Sequence, residues 1–217
     1  MIREVPTSAM TVLDRAAFAE TLDVSRETLD RLDLYLSLLR KWQPTINLVG
    51  PKTLDDAWRR HILDSAQILP LLEHQDGPLV DIGSGAGFPG LVLAILGAEQ
   101  VHLIESDQRK AAFLREAARA TKTSVTIHAE RCENLVPFQA SSVTARAVAP
   151  LTRLLELADD FIGPATICYF LKGKNHQAEL DQLRKGWTIR AQAFKSQTDP
   201  SGMILKLWGI RRATHRQ

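Results

Sequence analysis

The chain has 217 residues, of which 45% are hydrophobic and 24% charged, as is usual for a globular protein that buries one core. No apolar run is long enough to span a bilayer, and the first six residues lack the apolar stretch of a secretory signal, so we expect no membrane contact. The two cysteines, Cys132 and Cys168, have the spacing of neither a disulfide framework nor a zinc motif. These features favour a cytoplasmic protein without a metal site.

The charge is unevenly distributed along the chain. Residues 1–100 carry 9 Lys and Arg against 14 Asp and Glu, whereas residues 101–217 carry 18 against 11. Basic clusters at residues 59–61, 172–174 and 211–212 have a composition that suits contacts to phosphate. Charge alone does not establish a nucleic-acid partner, because solvated surface is the simpler interpretation of such clusters.

Residues 1–76 predict an N-terminal helical extension packed on the rest of the chain. Ser25 is typical of a helix N-cap, and the leucines that follow it recur at helical spacing. Pro70 is expected to stop a later helix, because proline lacks an amide donor. The expected helices cover residues 11–22, 26–42 and 53–69.

After Gly77-Pro78 the pattern changes to alternating strands and helices, which indicates an α/β protein. Residues 77–217 therefore predict a Rossmann-like domain with about seven strands. The sheet is expected to be mostly parallel, with an antiparallel hairpin at its edge because no helix separates the last two strands. Strands are expected at residues 79–82, 101–104, 125–128, 142–147, 165–171, 187–194 and 203–208, with helices at 89–96, 108–120, 151–161 and 175–183.

A glycine loop follows the first of these strands and opens a helix. Gly83, Gly85 and Gly87 would let the backbone approach a nucleotide-like cofactor closely. Residues 85–90 also fit the dinucleotide pattern GxGxxG, so NAD is an alternative. Asp81 favours S-adenosylmethionine, because a carboxylate repels a pyrophosphate but attracts an ammonium and a sulfonium, directly or through water.

The ends of the next two strands give further cofactor candidates. Glu105 ends the second strand about 20 residues after the loop, where a carboxylate can accept hydrogen bonds from both ribose hydroxyls. This feature suits either cofactor. The loop after the third strand, which contains Cys132 and Glu133, is expected to reach the adenine edge.

The fourth strand ends at Arg146, and the residues around it limit the chemistry. The chain has no Asn/Asp-Pro-Pro-aromatic element for exocyclic amines, no suitably placed cysteine for cytosine C5, and no aspartate there for ribose 2′-O transfer. Guanine N7 remains, because its in-plane lone pair accepts a methyl group without deprotonation. In that case the protein supplies mainly alignment and electrostatics.

Several motifs together resemble the RsmG (GidB) family of 16S ribosomal RNA guanine-N7 methyltransferases. The resemblance covers nearly the whole chain. It rests on Asn47-Leu48, on the RH-x-x-DS pattern of residues 60–65, and on residues 81–90, which are similar to the family's DxGSGAGFPG loop. Glu105-Ser106, Arg146-Ala147 and residues 171–173 follow in the family's order. The chain departs from the family at Gln43-Pro44 and at Ala145.

The resemblance implies methylation of a guanine N7 in the 530 loop of bacterial 16S rRNA, with S-adenosylmethionine as cofactor. The partner would be 16S rRNA or the small ribosomal subunit, and we expect a monomer. The implied cofactor contacts are Gly83, Phe88, Cys132, Glu133 and Arg146. Arg146 and Lys172 are candidate catalytic residues, and the candidates for holding RNA or organising the site are Asn47, Arg60, His61, Asp64 and Ser65.

Alternatives remain open from the sequence. His61 and Asp64, at i, i+3 spacing, could instead form a structural hydrogen-bonded pair on one helix face. Another RNA target, an NAD-dependent dehydrogenase, or an RNA-binding module with a decayed site are the competing functions.

Overall fold

The computed structural model describes residues 13–73 and 76–213, and two helices come first in this part of the chain. Helix α1 covers Arg15–Thr21 and helix α2 covers Arg26–Trp42, with Ser25 capping α2 by accepting a hydrogen bond from the amide of Thr28. The expected short helix therefore exists, although its first two expected residues, 11 and 12, lie outside the described residues. The long helix was predicted with its correct ends.

A regular α-helix was expected at residues 53–69, and this prediction was wrong because the segment is helical but irregular. A 3-10 helix at Pro51–Asp56 leads into a π-helix at Trp58–Leu63, which continues as the single turn α3, Asp64–Ala66. Pro70 does not follow this segment as a stop; it lies inside a final 3-10 turn, Leu69–Leu71, near its start, where no amide donor is needed. A π-helix widens the helical turn and is frequent at functional sites.

Seven strands form one mixed sheet in the order β3-β2-β1-β4-β5-β7-β6. Strands β1 to β5 are parallel, and β7 is antiparallel to both β5 and β6. The predicted hairpin is thus present, but its second strand inserts beside β5 and leaves β6 at the edge. The strands are β1 Leu79–Ile82, β2 Val101–Ile104, β3 Thr126–His128, β4 Ala140–Arg146, β5 Ile162–Lys172, β6 Trp187–Lys195 and β7 Met203–Arg212.

Four helices join the strands as expected, and the predicted α/β fold class is confirmed. They are α4 Gly90–Ile95, α5 Gln108–Ala120, α6 Leu151–Ala158 and α7 His176–Leu183. The ends of some elements differ: α6 gives way to a 3-10 turn at Asp159–Phe161, and β7 runs four residues beyond the expected 208. Backbone pairing with β6 extends β7, which local hydrophobicity did not indicate. No helix within the described ranges is long and apolar enough to cross a membrane.

The N-terminal helices share an apolar core with one face of the sheet. Leu32, Leu36 and Leu39 of α2 belong to the same buried cluster as Phe88 and Phe113. The buried hydroxyl of Tyr35 also donates a hydrogen bond to the carbonyl of Ala86. The extension therefore contacts the glycine loop itself, and its separation from the rest near residue 76 stays a prediction.

Candidate active site

A cleft of about 860 Å³ opens at the carboxyl ends of the parallel strands, where ligands bind in sheets of this kind. Its walls come from the irregular helix formed by residues 51–66, the glycine loop (residues 83–88), the ends of β2, β4 and β5, and the β6–β7 turn (residues 196–202). The cleft gathers most of the sequence-predicted residues. Those that line it are Arg60, His61, Asp64, Gly83, Gly85, Phe88, Glu105, Arg146 and Lys172.

The glycine loop has a backbone that side chains would disturb. Gly83 and Gly85 have φ of +63° and +57°, in the left-handed region that favours glycine. A Cβ on Gly83 would lie 2.7 Å from Cγ2 of Val148. The loop therefore presents backbone to the cleft, as a closely approaching cofactor requires.

Asp81 lies behind this loop rather than in the cleft. Its side chain is fully buried, and Oδ1 accepts a hydrogen bond of 2.8 Å from Thr144 Oγ1. Burial raises its pKa from 3.8 to about 6, against the opposing effect of the hydrogen bond from Thr144. A cofactor role for Asp81 stays a prediction, and the observed contacts are with the framework of the loop.

Glu105 connects the second strand to the glycine loop. Its Oε2 accepts a hydrogen bond of 2.8 Å from the amide of Gly85, and Oε1 accepts one of 2.7 Å from the amide of Asp107. Each carboxylate oxygen has a second lone pair, so the group can still accept from ribose hydroxyls. Its position in the cleft is compatible with the predicted role.

The cleft contains a compact stack of three side chains, those of Phe88, His61 and Arg146. The His61 ring lies on the Phe88 ring with centroids 4.8 Å apart and planes at 20°. The Arg146 guanidinium lies 4.7 Å from the Phe88 centroid, within the range of a cation–π contact. Three chain regions that are distant in sequence therefore meet on one aromatic ring.

The Arg146 guanidinium also forms an ion pair with Asp64. Arg146 donates to Asp64 Oδ2 at 3.0 Å and to the carbonyl of Arg60 at 3.0 Å. His61 accepts from Arg146 at 3.2 Å. Within the part of the chain that the structure describes, the side chains of His61 and Asp64 share no hydrogen bond with each other, so the paired alternative is not observed and the common partner of these side chains is Arg146.

The hydrogen bonds of His61 define its protonation. Arg146 can only donate, so Nδ1 of His61 is the acceptor, and Nε2 carries the proton toward Thr53 Oγ1 at 2.7 Å. The Thr53 hydroxyl in turn donates to the carbonyl of Gly50 at 2.7 Å. Burial, with Arg146 and Arg60 nearby, lowers the His61 pKa to about 3. His61 is therefore a neutral imidazole whose lone pair is occupied.

Similarity to known proteins agrees with this arrangement. The family model "GidB: rRNA small subunit methyltransferase G" matches residues 28–201. A ribosomal RNA small subunit methyltransferase G from Rhodospirillum centenum is 57% identical over 190 residues, which is 88% of each chain. One from Parvibaculum lavamentivorans is 46% identical over 216 residues, or 97% of this chain and 96% of that protein. The chain belongs to the GidB family.

Solved structures with low sequence identity show the same fold. A ribosomal-protein methylase from Lactobacillus delbrueckii subsp. bulgaricus has a TM-score of 0.55 at 14% identity, covering 69% of this chain and 77% of that one. TYW2 of M. jannaschii in complex with AdoMet has a TM-score of 0.52 at 14% identity, covering 68% and 73%. The family and the fold expected from the sequence are both confirmed.

The β6–β7 turn is a part of the cleft that sequence reasoning missed. Thr198 Oγ1 donates to Asp64 Oδ1 at 2.5 Å, and the amide of Gln197 donates to Gln67 Oε1 at 3.0 Å. Gln67 Nε2 also donates to Asp64 Oδ1 at 3.0 Å. The turn therefore donates a hydrogen bond to Asp64, and Asp64 forms the ion pair with Arg146. Only a Ser/Thr-rich turn between two strands was visible in the sequence, and nothing there indicated its partner.

The backbone after Arg146 is strained where it borders the cleft. Ala147 has φ of +55°, which is unusual for a residue with a Cβ, and such conformations concentrate at functional sites. Lys172 is fixed nearby, because its Nζ donates to the carbonyl of Ala149 at 2.9 Å and pairs with Glu179 at 2.7 Å. A catalytic role for Lys172 stays a prediction.

The remaining predicted residues lie outside the cleft lining. Burial raises the pKa of the Cys132 thiol to about 11, so it is not a nucleophile, and Glu133 pairs with Arg153 at 2.8 Å. The Ser65 hydroxyl donates to the carbonyl of His61 at 2.7 Å, which supports the π-helix. Asn47 Oδ1 accepts from Gln43 at 3.2 Å, and Gly87 packs against Leu91 and Leu114.

Proposed function

We propose that this protein transfers a methyl group from S-adenosylmethionine to N7 of a guanine in the 530 loop of bacterial 16S rRNA, acting as a cytoplasmic monomer. Membership of the GidB family supports ribosomal RNA methylation. It also argues against the dehydrogenase that the GxGxxG pattern left open and against a binding module with a decayed site. A different RNA target is the remaining alternative.

The cofactor half of the cleft fits S-adenosylmethionine. The backbone at Gly83 and Gly85 would receive the methionine part of such a cofactor, and the carboxylate of Glu105 would accept hydrogen bonds from its ribose. Once bound, S-adenosylmethionine supplies a methyl group that its sulfonium activates. Phe88, which stacks on His61 in the same cleft, would be among the residues that hold the cofactor.

The acceptor half supports N7 as the target because the possible general bases in its described lining, His61, Asp64, Glu179 and Asp199, all accept hydrogen bonds or ion pairs from the protein already. The lone pair of His61 is occupied by Arg146, and the low pKa of about 3 makes this imidazole a poor proton acceptor. Asp64 accepts from Arg146 and Thr198, and Glu179 from Lys172. An exocyclic amine or a ribose hydroxyl would have to lose a proton, whereas N7 would not. The single observation that carries the proposal is this occupied His61 lone pair.

Methyl transfer to ribosomal RNA tests the proposal directly. Purified protein should move radiolabelled methyl groups from S-adenosylmethionine to small subunits, or to their RNA, from cells that lack the gene. Primer extension across 16S rRNA should then map N7-methylguanosine to one position in the 530 loop. RNA from cells that retain the gene is the control, because its site is already methylated.

Two outcomes would contradict different parts of the proposal. A single new mark elsewhere in the RNA would keep the chemistry and overturn the target. Label on an exocyclic nitrogen or a ribose oxygen would overturn the argument from the missing base. Unchanged maps with and without the gene would remove the ribosomal substrate altogether.

A further inference from the structure

We infer that a second, basic cleft on the β6–β7 side of the sheet binds the RNA backbone outside the active site. The inference rests on the proposed RNA substrate and extends it to a separate contact surface. This cleft has a volume of about 740 Å³ and lies between the start of β5 and the outer strands. Its lining includes Glu73, Ala165, Arg190, Lys206, Trp208 and Arg211.

The two free cations of this cleft lie on neighbouring strands. In the antiparallel register Arg190 of β6 faces Trp208 of β7, and Thr188 faces Arg211. Both arginines are exposed, and neither has a carboxylate partner among residues 13–73 and 76–213. Their positive charge is therefore available to an external anion.

The third cation of the cleft, Lys206, is paired within the protein. Lys206 is 8% exposed, pairs with Glu73, and lies 5.3 Å from the Trp208 ring centroid. Lys206 therefore contacts the Trp208 ring, which lines the cleft together with Arg190 and Arg211. An aromatic floor with basic residues beside it is a common composition of single-stranded RNA contacts.

The second cleft is separate from the active site but lies on the same strand. Lys172, at the carboxyl end of β5, lines the active cleft, and Ala165, near its start, lines the second one. Seven residues of extended strand span about 23 Å at roughly 3.3 Å per residue. A ligand that occupies both must therefore be long, and charge complementarity favours a polyanion. Ribosomal RNA meets both conditions.

Direct RNA binding tests this surface without relying on catalysis. The variant Arg190→Glu/Arg211→Glu is compared with Arg26→Glu/Arg115→Glu, which has the same net charge and changes two exposed arginines that line neither cleft. Affinity for deproteinised 16S rRNA is measured by filter binding between 50 and 200 mM salt, values chosen as roughly the range over which phosphate contacts weaken strongly. Thermal unfolding and calorimetry with S-adenosylmethionine check folding and the cofactor half.

We expect the cleft variant to bind RNA at least about tenfold more weakly, and its salt slope to fall by roughly 1.4 to 1.8, as two phosphate contacts would require. The kcat at saturating RNA should stay unchanged while KM rises. The matched control should stay close to wild type. Arg190→Gln/Arg211→Gln should show an intermediate effect.

Equal binding by the cleft variant and the control would overturn the inference. A loss seen only on assembled subunits, with naked RNA bound normally, would overturn the RNA assignment and indicate a protein contact. Failure of the proposed function is a separate result: wild-type protein would transfer no methyl group, while the salt slopes would still report whether the cleft binds RNA.

Discussion

The two halves of the active cleft are built in different ways. In the cofactor half, a strand, a glycine loop and a carboxylate all lie within residues 79–105, and the loop lines the cleft with small residues from Gly83 to Ala86. In the acceptor half, Arg146 is held by His61 and Asp64 from the irregular helix, and Thr198 from the β6–β7 turn holds Asp64. One half is local in sequence, whereas the other exists only after folding.

This difference predicts a division of effects between the halves. Changes in the cofactor half should lower affinity for S-adenosylmethionine, because they deform the surface that receives it. Changes in the acceptor half should lower kcat and leave cofactor affinity largely intact. The following substitutions test that division, beginning with the largest expected effect.

Replacing Arg146 should have the largest effect on turnover. Arg146→Ala removes the cation that joins Asp64, His61 and Phe88, and we expect kcat to fall about 10²- to 10³-fold, the usual cost of losing one organised electrostatic contact. Single-turnover methyl transfer measures it. Arg146→Lys keeps the charge without the two-pronged donor and should recover only part of the rate. A fall in cofactor affinity as large as the fall in kcat would place Arg146 in the cofactor half instead.

The buried Asp81 should make stability depend on pH. Its pKa is raised in the folded state to about 6 from 3.8, so its contribution to stability is complete below pH 3.8 and is lost as the pH rises to about 6. At 1.36 kcal/mol per unit the loss is about 3 kcal/mol. Urea unfolding between pH 3.5 and 7.5, as roughly the range that brackets both pKa values, measures it against Asp81→Asn, which does not titrate. Parallel stability curves for the two proteins would contradict this.

A methyl group on Gly90 should deform the base of the glycine loop. A Cβ there would lie 2.6 Å from both Asp81 Cβ and Leu103 Cδ2. We expect Gly90→Ala to lower the free energy of unfolding by about 1–3 kcal/mol and to weaken cofactor binding in calorimetry. Gly186→Ala is the matched control, since its Cβ would meet nothing within 4 Å. Normal cofactor affinity in a destabilised Gly90→Ala protein would separate the loop from the site.

Removing the Thr198 hydroxyl should have the smallest effect. Thr198→Val takes one donor from Asp64, which keeps Gln67 and Arg146 as donors. We therefore expect only the lower end of the about 1.5–3 kcal/mol of a hydrogen bond to a charged group to be lost, so kcat should fall roughly tenfold. Cofactor affinity should not change, and Thr198→Ser should restore the rate. If serine fails to restore it, the methyl packing of Thr198 matters rather than its link to Asp64.

Local signals predicted the regular elements well. The cap at Ser25, the apolar spacing of α2 and the short buried strands led to correct elements, because each is decided by neighbouring residues. The π-helix was not predicted, since the side chains that stabilise it, such as Ser65, give no periodic signal. The position of β7 beside β5 was also missed, because strand order depends on pairing between distant segments.

The sequence by itself determined the strand–glycine loop–helix unit, the chemistry of methyl transfer and the family, because those features depend on residues adjacent in the chain. Only the tertiary structure decided that Asp81 lies behind the loop, with burial raising its pKa, rather than in the cleft. It also decided that His61 is a neutral acceptor for Arg146 and that Thr198 belongs to the same network. The physical reason is that desolvation and hydrogen-bond partners come from residues up to 134 positions apart, which sequence spacing does not record.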